Sequence, residues 1–217
     1  MSDIEPQRRS VFRRAVAWTL VAVSSVALVF GCKRNENDAF EVFQTPAPAV
    51  LPRHWQVPDF ALIQSDEKKL TNADLRGQVW VADFFYTTCP GPCPMMSSRL
   101  QRVHAKTRGW NDVMLVSIST DPAKDTPEVL REYAKRFGAD ERWRFVTGTK
   151  EEIFELANKG FKVSVTEDGS AAEPITHSTK LVLVDKNGTV RGLYDGLAEA
   201  DEERLVQDID RLRKESR

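Results

Sequence analysis

Cysteine is scarce in this sequence: only three occur among 217 residues, too few for a scaffold built from disulfides. Long basic runs are also missing, and the formal net charge is −1. A nucleic-acid-binding domain would show clustered lysine and arginine, so the charge pattern indicates no nucleic-acid partner. No internal repeat is visible. The length suits one domain of ordinary size with an appendage, and each cysteine needs its own explanation.

A long apolar stretch lies near the N-terminus. The sequence AVAWTLVAVSSVALVFGC, residues 15–32, carries no charge and follows the basic QRRSVFRR. This pattern predicts a secretory signal or an N-terminal membrane anchor over residues 1–32. VFGC at its end resembles a bacterial lipoprotein box with Cys32 as the lipidated residue, whereas an uncleaved segment would be long enough to span a bilayer. Both alternatives leave the rest of the chain membrane-anchored in a bacterial cell envelope, on the extracytoplasmic (periplasmic) side.

The next segment is expected to be a spacer. Residues 33–54 are polar and then rich in proline and alanine, without a regular apolar period. Pro46, Pro48 and Pro52 favour a stiff, extended tether that holds the domain away from the membrane. The globular domain is therefore expected to occupy residues 55–217.

Buried strands alternate with helices in this domain. VWVADFFY (79–86) and VMLVSIS (113–119) are almost continuously apolar, as strands covered on both faces are. Helices are predicted at MSSRLQRVHAKT, TPEVLREYAKRFG and EEIFELANKG. TKLVLVD and TVRGLYD flank an Asn-Gly turn and predict a hairpin, and EADEERLVQDIDRLRK predicts a last helix. This order predicts an α/β fold with a thioredoxin-like central mixed β-sheet flanked by helices.

Two cysteines directly follow the first buried strand, in TTCPGPCP. Prolines are tolerated in a loop and in the first turn of a helix, so Cys89 is expected in the loop and Cys93 near the helix N-terminus. Free N–H groups and the helix dipole are expected to lower the pKa of a thiol there. The pair could be a structural disulfide, a redox couple or part of a metal site. A disulfide across so short a loop would add little stability, and structural zinc requires four ligands.

Three histidines could supply a further ligand. His54 lies in the predicted tether, and His104 lies about three turns into the helix, where a half-exposed position is expected. His177, in PITHSTKLVLVD, immediately precedes a strand whose entry loop faces the cysteine pair in a thioredoxin-like fold. The predicted ligands are therefore Cys89, Cys93 and His177.

The chemistry of this donor set indicates the metal. Two thiolates and one imidazole are soft, and three-coordination favours Cu(I) over tetrahedral Zn²⁺, although the same set can also hold Cu(II). Met95 or Met96 could add a thioether, but packing in the core face of the helix is the simpler role for both.

Three segments together resemble the signature segments of the Sco/SenC family: FFYTTCPGPCPMM, VSISTDPAKDTPEVLREYAKRF and ITHSTKLVLVDKNGTVRGLYDG. Their order and spacing agree with that family over roughly residues 55–215. The resemblance implies a membrane-tethered thioredoxin-fold protein that binds copper through Cys89, Cys93 and His177. It also implies delivery of copper to the CuA centre of cytochrome c oxidase, or help in assembling it, with the oxidase subunit that carries this site as partner.

Two positions depart from the family pattern. Many members have an acidic or β-branched residue where Gly91 stands, and many have Asp where Thr176 precedes the ligand histidine. Neither departure removes a ligand, but the missing Asp could reduce hydrogen-bonding support for the imidazole. Asp121 and Asp125, in TDPAKDTP, also match the family pattern; turning or capping into the following helix suffices to explain Asp125.

A second function remains open from the sequence. In a thiol–disulfide oxidoreductase, Cys89 and Cys93 would be the redox-active pair that reduces the cysteines of the CuA site. That activity needs no histidine ligand, so His177 distinguishes the two hypotheses. The sequence does not indicate an oligomeric state.

Overall fold

A computed structural model describes residues 50–170 and 175–215. Its strands are β1 Ala61–Gln64, β2 Lys69–Thr71, β3 Val79–Phe85, β4 Val113–Ser119, β5 Trp143–Thr147, β6 Val165–Thr166, β7 Thr176–His177, β8 Lys180–Val184 and β9 Val190–Asp195. Its helices are α1 Pro92–Lys106, α2 Pro127–Arg136, α3 Lys150–Glu155 and α4 Glu199–Lys214, and a π-helix, Leu156–Phe161, continues α3. None of the helices in these ranges is long and apolar enough to cross a bilayer. The predicted signal or anchor, and residues 33–49 of the predicted tether, lie outside the described residues.

Seven strands form one mixed sheet in the order β2-β1-β5-β4-β3-β8-β9. Strands β3, β4 and β5 are parallel, whereas β8 runs antiparallel to both β3 and β9. The central strand β3 is buried at every position, which explains the apolar run that identifies it in the sequence. The prediction of a mixed sheet flanked by helices, with an antiparallel hairpin at one edge, is confirmed.

Aromatic side chains cover both faces of β3. Trp80 and Phe84 point to one face, where Phe161 meets their rings at centroid distances of 5.8 and 5.5 Å. Phe85 points to the other face, where the Tyr133 ring of α2 lies 5.1 Å away. This packing fixes the end of β3, where the chain leaves the sheet toward Cys89.

The helix predicted at EEIFELANKG differs from the observed one. Thr149 and Glu152 form a capping box at the start of α3, but the regular α-helix ends at Glu155 and widens into the π-helix. The Trp55 indole N–H donates to the Gly160 carbonyl at 2.7 Å, and a Cβ at Gly160 would lie 3.0 Å from Pro58. This contact with a distant segment is invisible to helical periodicity.

The β8–β9 connection also differs from the predicted two-residue turn. It runs over residues 185–189, with Gly188 at φ +82, where glycine is the residue that fits without strain. A β-bulge between Leu183 and Val184 accompanies the longer loop. The hairpin itself is present as predicted.

Candidate metal centre

The two cysteines of the domain lie where β3 leads into α1, one in the connecting loop of residues 86–91 (the cysteine loop) and one in the first turn of the helix. Cys89 lies in the loop and is 7% exposed, and its backbone N–H donates to the Tyr86 carbonyl at 3.3 Å. Pro92 opens α1, and Cys93 is the second residue of that helix with 0% exposure. Both cysteines are free thiols. The structure thus places Cys89 in the loop and Cys93 at the helix N-terminus, as the positions of the prolines predict.

His177 reaches the same point from β7. Its Nε2 lies 2.9 Å from the Cys93 Sγ, and its Nδ1 lies 3.1 Å from the Ser178 carbonyl oxygen. Because only a protonated Nδ1 can donate to that carbonyl, the neutral imidazole presents an Nε2 lone pair to the thiol. The ligand atoms of Cys89, Cys93 and His177 all lie within 4.8 Å of one another. The structure therefore brings the three predicted ligands together.

A short hairpin holds His177 in place. Strands β6 and β7 pair Val165 with His177, and the Ser178 N–H donates to the Ser164 carbonyl at 2.8 Å. From the π-helix, the Asn158 side chain donates to the Val165 carbonyl at 3.0 Å and accepts from the Val165 N–H at 3.1 Å. The π-helix is thus joined to the strand that pairs with the histidine.

We expect Asn158→Ala to lower the free energy of unfolding by about 1–2 kcal/mol, because alanine cannot replace the two hydrogen bonds to Val165. Amide hydrogen exchange should accelerate at Val165 in the variant. Lys159→Ala is the matched control, since Lys159 is a neighbouring exposed residue whose side chain pairs with Glu155 on the same helical surface. Unchanged exchange at Val165 in Asn158→Ala would contradict this role.

The electrostatics of Cys93 differ from the expectation. Burial raises the pKa of the Cys93 thiol above its ordinary value, the neighbouring Cys89 thiol acts in the same direction, and a hydrogen bond from the Tyr86 backbone acts against them. The expected lowering of this pKa is therefore wrong in direction. The helix N-terminus favours a thiolate, but the loss of hydration outweighs it. Cys93 is a protonated thiol near neutral pH, and a metal that binds there must displace its proton.

Asp83 is a nearby residue that the sequence analysis missed. It lies in the middle of β3 and is 1% exposed; the Ser117 hydroxyl donates to its Oδ1 at 2.6 Å. Its Oδ2 has no hydrogen-bond partner within the part of the chain that the structure describes. Burial raises the pKa of Asp83 to about 7, and its charge contributes to the raised pKa of Cys93. In the sequence, the signal that could have identified Asp83 is that it is the one acidic residue in the otherwise apolar VWVADFFY.

The other candidate ligands lie apart from this cluster. His54 is exposed, and His104 is 8% exposed with its Nε2 2.7 Å from Asp140, so the half-exposed position expected for His104 is wrong. Met96 is fully buried, as expected for a core residue, whereas Met95 is 58% exposed and does not belong to the core.

The acidic residues after β4 have separate roles. Thr126 caps α2 by accepting from the Val129 N–H, so the Asp125 side chain is not the cap. Asp121 forms an ion pair with Lys124 at 3.2 Å. Asp125 instead turns inward to the cysteine loop, where it accepts hydrogen bonds from Thr87.

The donor set fits a soft metal ion. Two sulfur atoms and one imidazole nitrogen converge in a largely buried position, and the neutral tautomer of His177 leaves the nitrogen able to coordinate. Thiolate and imidazole donors suit Cu(I), whereas Mg²⁺ and Ca²⁺ prefer oxygen. The same two thiols can also form a disulfide by thiol exchange.

A family model and a curated protein of the same family both match this chain over most of its length. The family model described as SCO1/SenC matches residues 51–214. The SCO1 protein homolog of Bacillus subtilis is 30% identical over 161 residues, which cover 73% of this chain and 83% of that protein.

Solved structures of the same kind share the fold. A SCO1/SenC family lipoprotein from Bacillus anthracis is 32% identical, with a TM-score of 0.68 over 73% of this chain and 95% of that one. BsSco, a member of the Sco family of cytochrome c oxidase assembly proteins with an identified disulfide switch, is 29% identical, with a TM-score of 0.68 over 76% and 97%. Arabidopsis thaliana ScoI with copper bound is 26% identical, with a TM-score of 0.62 over 73% and 98%. The predicted thioredoxin-like fold is therefore confirmed.

Proposed function

This chain belongs to the SCO1/SenC family, and we therefore propose that it binds copper and delivers it to, or helps assemble, the CuA centre of cytochrome c oxidase. The observation that carries this proposal is the convergence of the Cys89, Cys93 and His177 ligand atoms within 4.8 Å. The copper-bound structure of Arabidopsis ScoI and the description of BsSco as belonging to a family of oxidase assembly proteins support it.

The proposed ligands act as an exchangeable holder for copper as cargo. Cys89 and Cys93 would bind as thiolates, and His177 would bind through Nε2, while the Ser178 carbonyl keeps the ring oriented. Each thiol must release its proton on binding, so affinity should increase as pH rises. Transfer would proceed by ligand exchange with the soft donors of an acceptor site, which is the oxidase subunit that carries CuA.

The proposed location is the outer side of a bacterial membrane. The basic flank and the apolar stretch over residues 15–32 support tethering of the domain, either by a lipidated Cys32 or by an uncleaved span. The match to a SCO1/SenC family lipoprotein supports the first form. Leu51 is buried and the His54 N–H donates to the Val190 carbonyl, so the end of the predicted tether packs on the domain. The part of the tether before Leu51 would then hold the copper site away from the membrane surface.

A thiol–disulfide oxidoreductase is the second candidate function. Two free thiols with their sulfur atoms in one cluster favour it. In this reaction Cys89 and Cys93 would be oxidised to a disulfide while a disulfide of the target's CuA site is reduced to two thiols. Thiol exchange needs no imidazole, whereas the His177 Nε2 lies 2.9 Å from the Cys93 Sγ as a third ligand, so we rank copper binding first.

Anaerobic Cu(I) titration of the full chain in detergent, in competition with a chelator, tests the proposal. We expect one equivalent of copper to bind with sub-micromolar affinity. Protein with alkylated thiols is the control and should bind none at this affinity. The copper proposal is wrong if the reduced wild-type chain takes up no copper, and reduction of an oxidised CuA-site peptide would then favour the oxidoreductase.

A further inference from the structure

Asp125 is a buried residue beside the cysteine loop. Neither the turn before α2 nor the cap of α2 needs its carboxylate. It is 0% exposed. Its backbone N–H already closes the turn by donating to the Asp121 carbonyl at 2.8 Å, and Thr126 caps α2. Because burying a carboxylate is costly unless donors compensate it, the position of this side chain needs another explanation.

The donors around Asp125 come from two different segments. Its Oδ2 accepts from the Thr87 backbone N–H at 3.0 Å and from the Ser119 hydroxyl at 2.6 Å. Its Oδ1 accepts from the Thr87 hydroxyl. Hydrogen bonds to an ionised acceptor are stronger than those between neutral groups. Asp125 therefore binds the cysteine loop firmly to the end of β4.

The residue held in this way, Thr87, lies close before the metal-binding pair in the sequence. Thr87 lies two positions before Cys89, beyond the last residue of β3. Further along, the Cys89 N–H makes a long hydrogen bond of 3.3 Å to the Tyr86 carbonyl. The two bonds from Thr87 to Asp125 thus fix the backbone at the point where Cys89 is aimed toward Cys93 and His177.

We infer that Asp125 is a positioning residue for the copper site, which holds the Cys89 sulfur in place before the metal arrives. This inference rests on the proposed copper function. A ligand held in advance loses less conformational freedom on binding, so loosening Thr87 should weaken copper binding without removing a ligand.

Asp125→Asn tests the inference in the full chain. Asparagine keeps the shape but presents an NH₂ group in place of one acceptor oxygen, so it cannot accept from all three donors. We expect a loss of about 10-fold in Cu(I) affinity, the lower end of the range for groups that bond to a ligand directly, because Asp125 acts on Cys89 through Thr87. Thr87→Val removes only the hydroxyl bond and should lower affinity by about 3- to 10-fold. It keeps the test decisive if Asp125→Asn fails to fold.

Asp185→Asn is the matched control. Asp185 is also buried and accepts from the Asn187 and Thr189 N–H groups and from Arg191, but it lies at the end of β8 remote from His177. This variant should lose stability and keep its copper affinity within about twofold, because these bonds do not touch the cysteine loop. An equal loss of affinity in both Asn variants would reduce Asp125 to a merely structural residue and overturn the inference.

Hydrogen exchange in the metal-free protein provides a readout independent of copper. The Thr87 amide should exchange faster in Asp125→Asn than in the wild type, and at the wild-type rate in Asp185→Asn. If the wild-type chain binds no copper, the proposed function fails while this exchange result still tests how Asp125 holds the loop. Normal exchange at Thr87 together with normal copper affinity in a folded Asp125→Asn would overturn the inference directly.

Discussion

Replacing His177 with alanine should weaken Cu(I) binding by at least about 100-fold, since it removes a direct ligand and loss of indirect support alone costs 10- to 100-fold. The His177 Nε2 lies 2.9 Å from the Cys93 Sγ and is the one nitrogen in the cluster of ligand atoms. Without it, two thiolates would hold copper, with no imidazole to complete three-coordination. Anaerobic competition with a chelator of known affinity measures the change in both proteins.

The same variant separates the two candidate functions. Disulfide exchange needs Cys89 and Cys93 but no imidazole ligand, so His177→Ala should still reduce a model disulfide. His54→Ala is the matched control, because His54 is exposed and its variant should bind copper as the wild type does. Copper affinity in His177→Ala within a few-fold of wild type would exclude His177 from the ligand set and leave the thiols alone responsible.

Strands and helices whose signals lie within a few neighbouring residues are predicted correctly from the sequence. VMLVSIS became β4 with the same bounds, because a strand covered on both faces is apolar throughout. Thr126 and Pro127 marked the start of α2 because capping and a proline at the first position act within one turn. Helical periodicity does not predict the π-helix, in which the Gly160 carbonyl accepts a hydrogen bond from Trp55, about a hundred residues earlier in the chain.

For the candidate site, the sequence predicts which residues come together but not how deeply they are buried or which distant residues they contact. Topology alone predicted that His177 would face the cysteines, because the end of a parallel strand and the entry to its antiparallel neighbour meet at one edge of the sheet. The predicted shift in the pKa of Cys93 is wrong in direction, because the sequence shows the helix N-terminus but not the depth of burial. Asp125 was interpreted from its neighbours in sequence, whereas its side chain bonds to Thr87, 38 positions earlier.

Asp83→Asn should make the metal-free, reduced protein more stable at pH 8 by about 3 kcal/mol. Burial raises the pKa of Asp83 from 3.8 to about 7 in the folded state. Between these values the unfolded chain releases the proton while the folded chain keeps it, so stability falls as pH rises and the full penalty applies above pH 7. A shift of about three units corresponds to about 4 kcal/mol, and leaving the asparagine NH₂ unpartnered returns about 1 kcal/mol of this.

Chemical denaturation at pH 5 and pH 8 measures this effect. At pH 5 only about one unit of the shift is expressed, so wild-type stability should fall by about 2–3 kcal/mol between the two pH values because of Asp83, and the variant should lack that fall. Glu141→Gln is the control, since Glu141 is exposed and its substitution should leave the pH dependence unchanged. An equal fall in Asp83→Asn would mean that Asp83 ionises at little cost. In that case burial would not raise the pKa of Asp83 in the folded protein, and this prediction would be wrong.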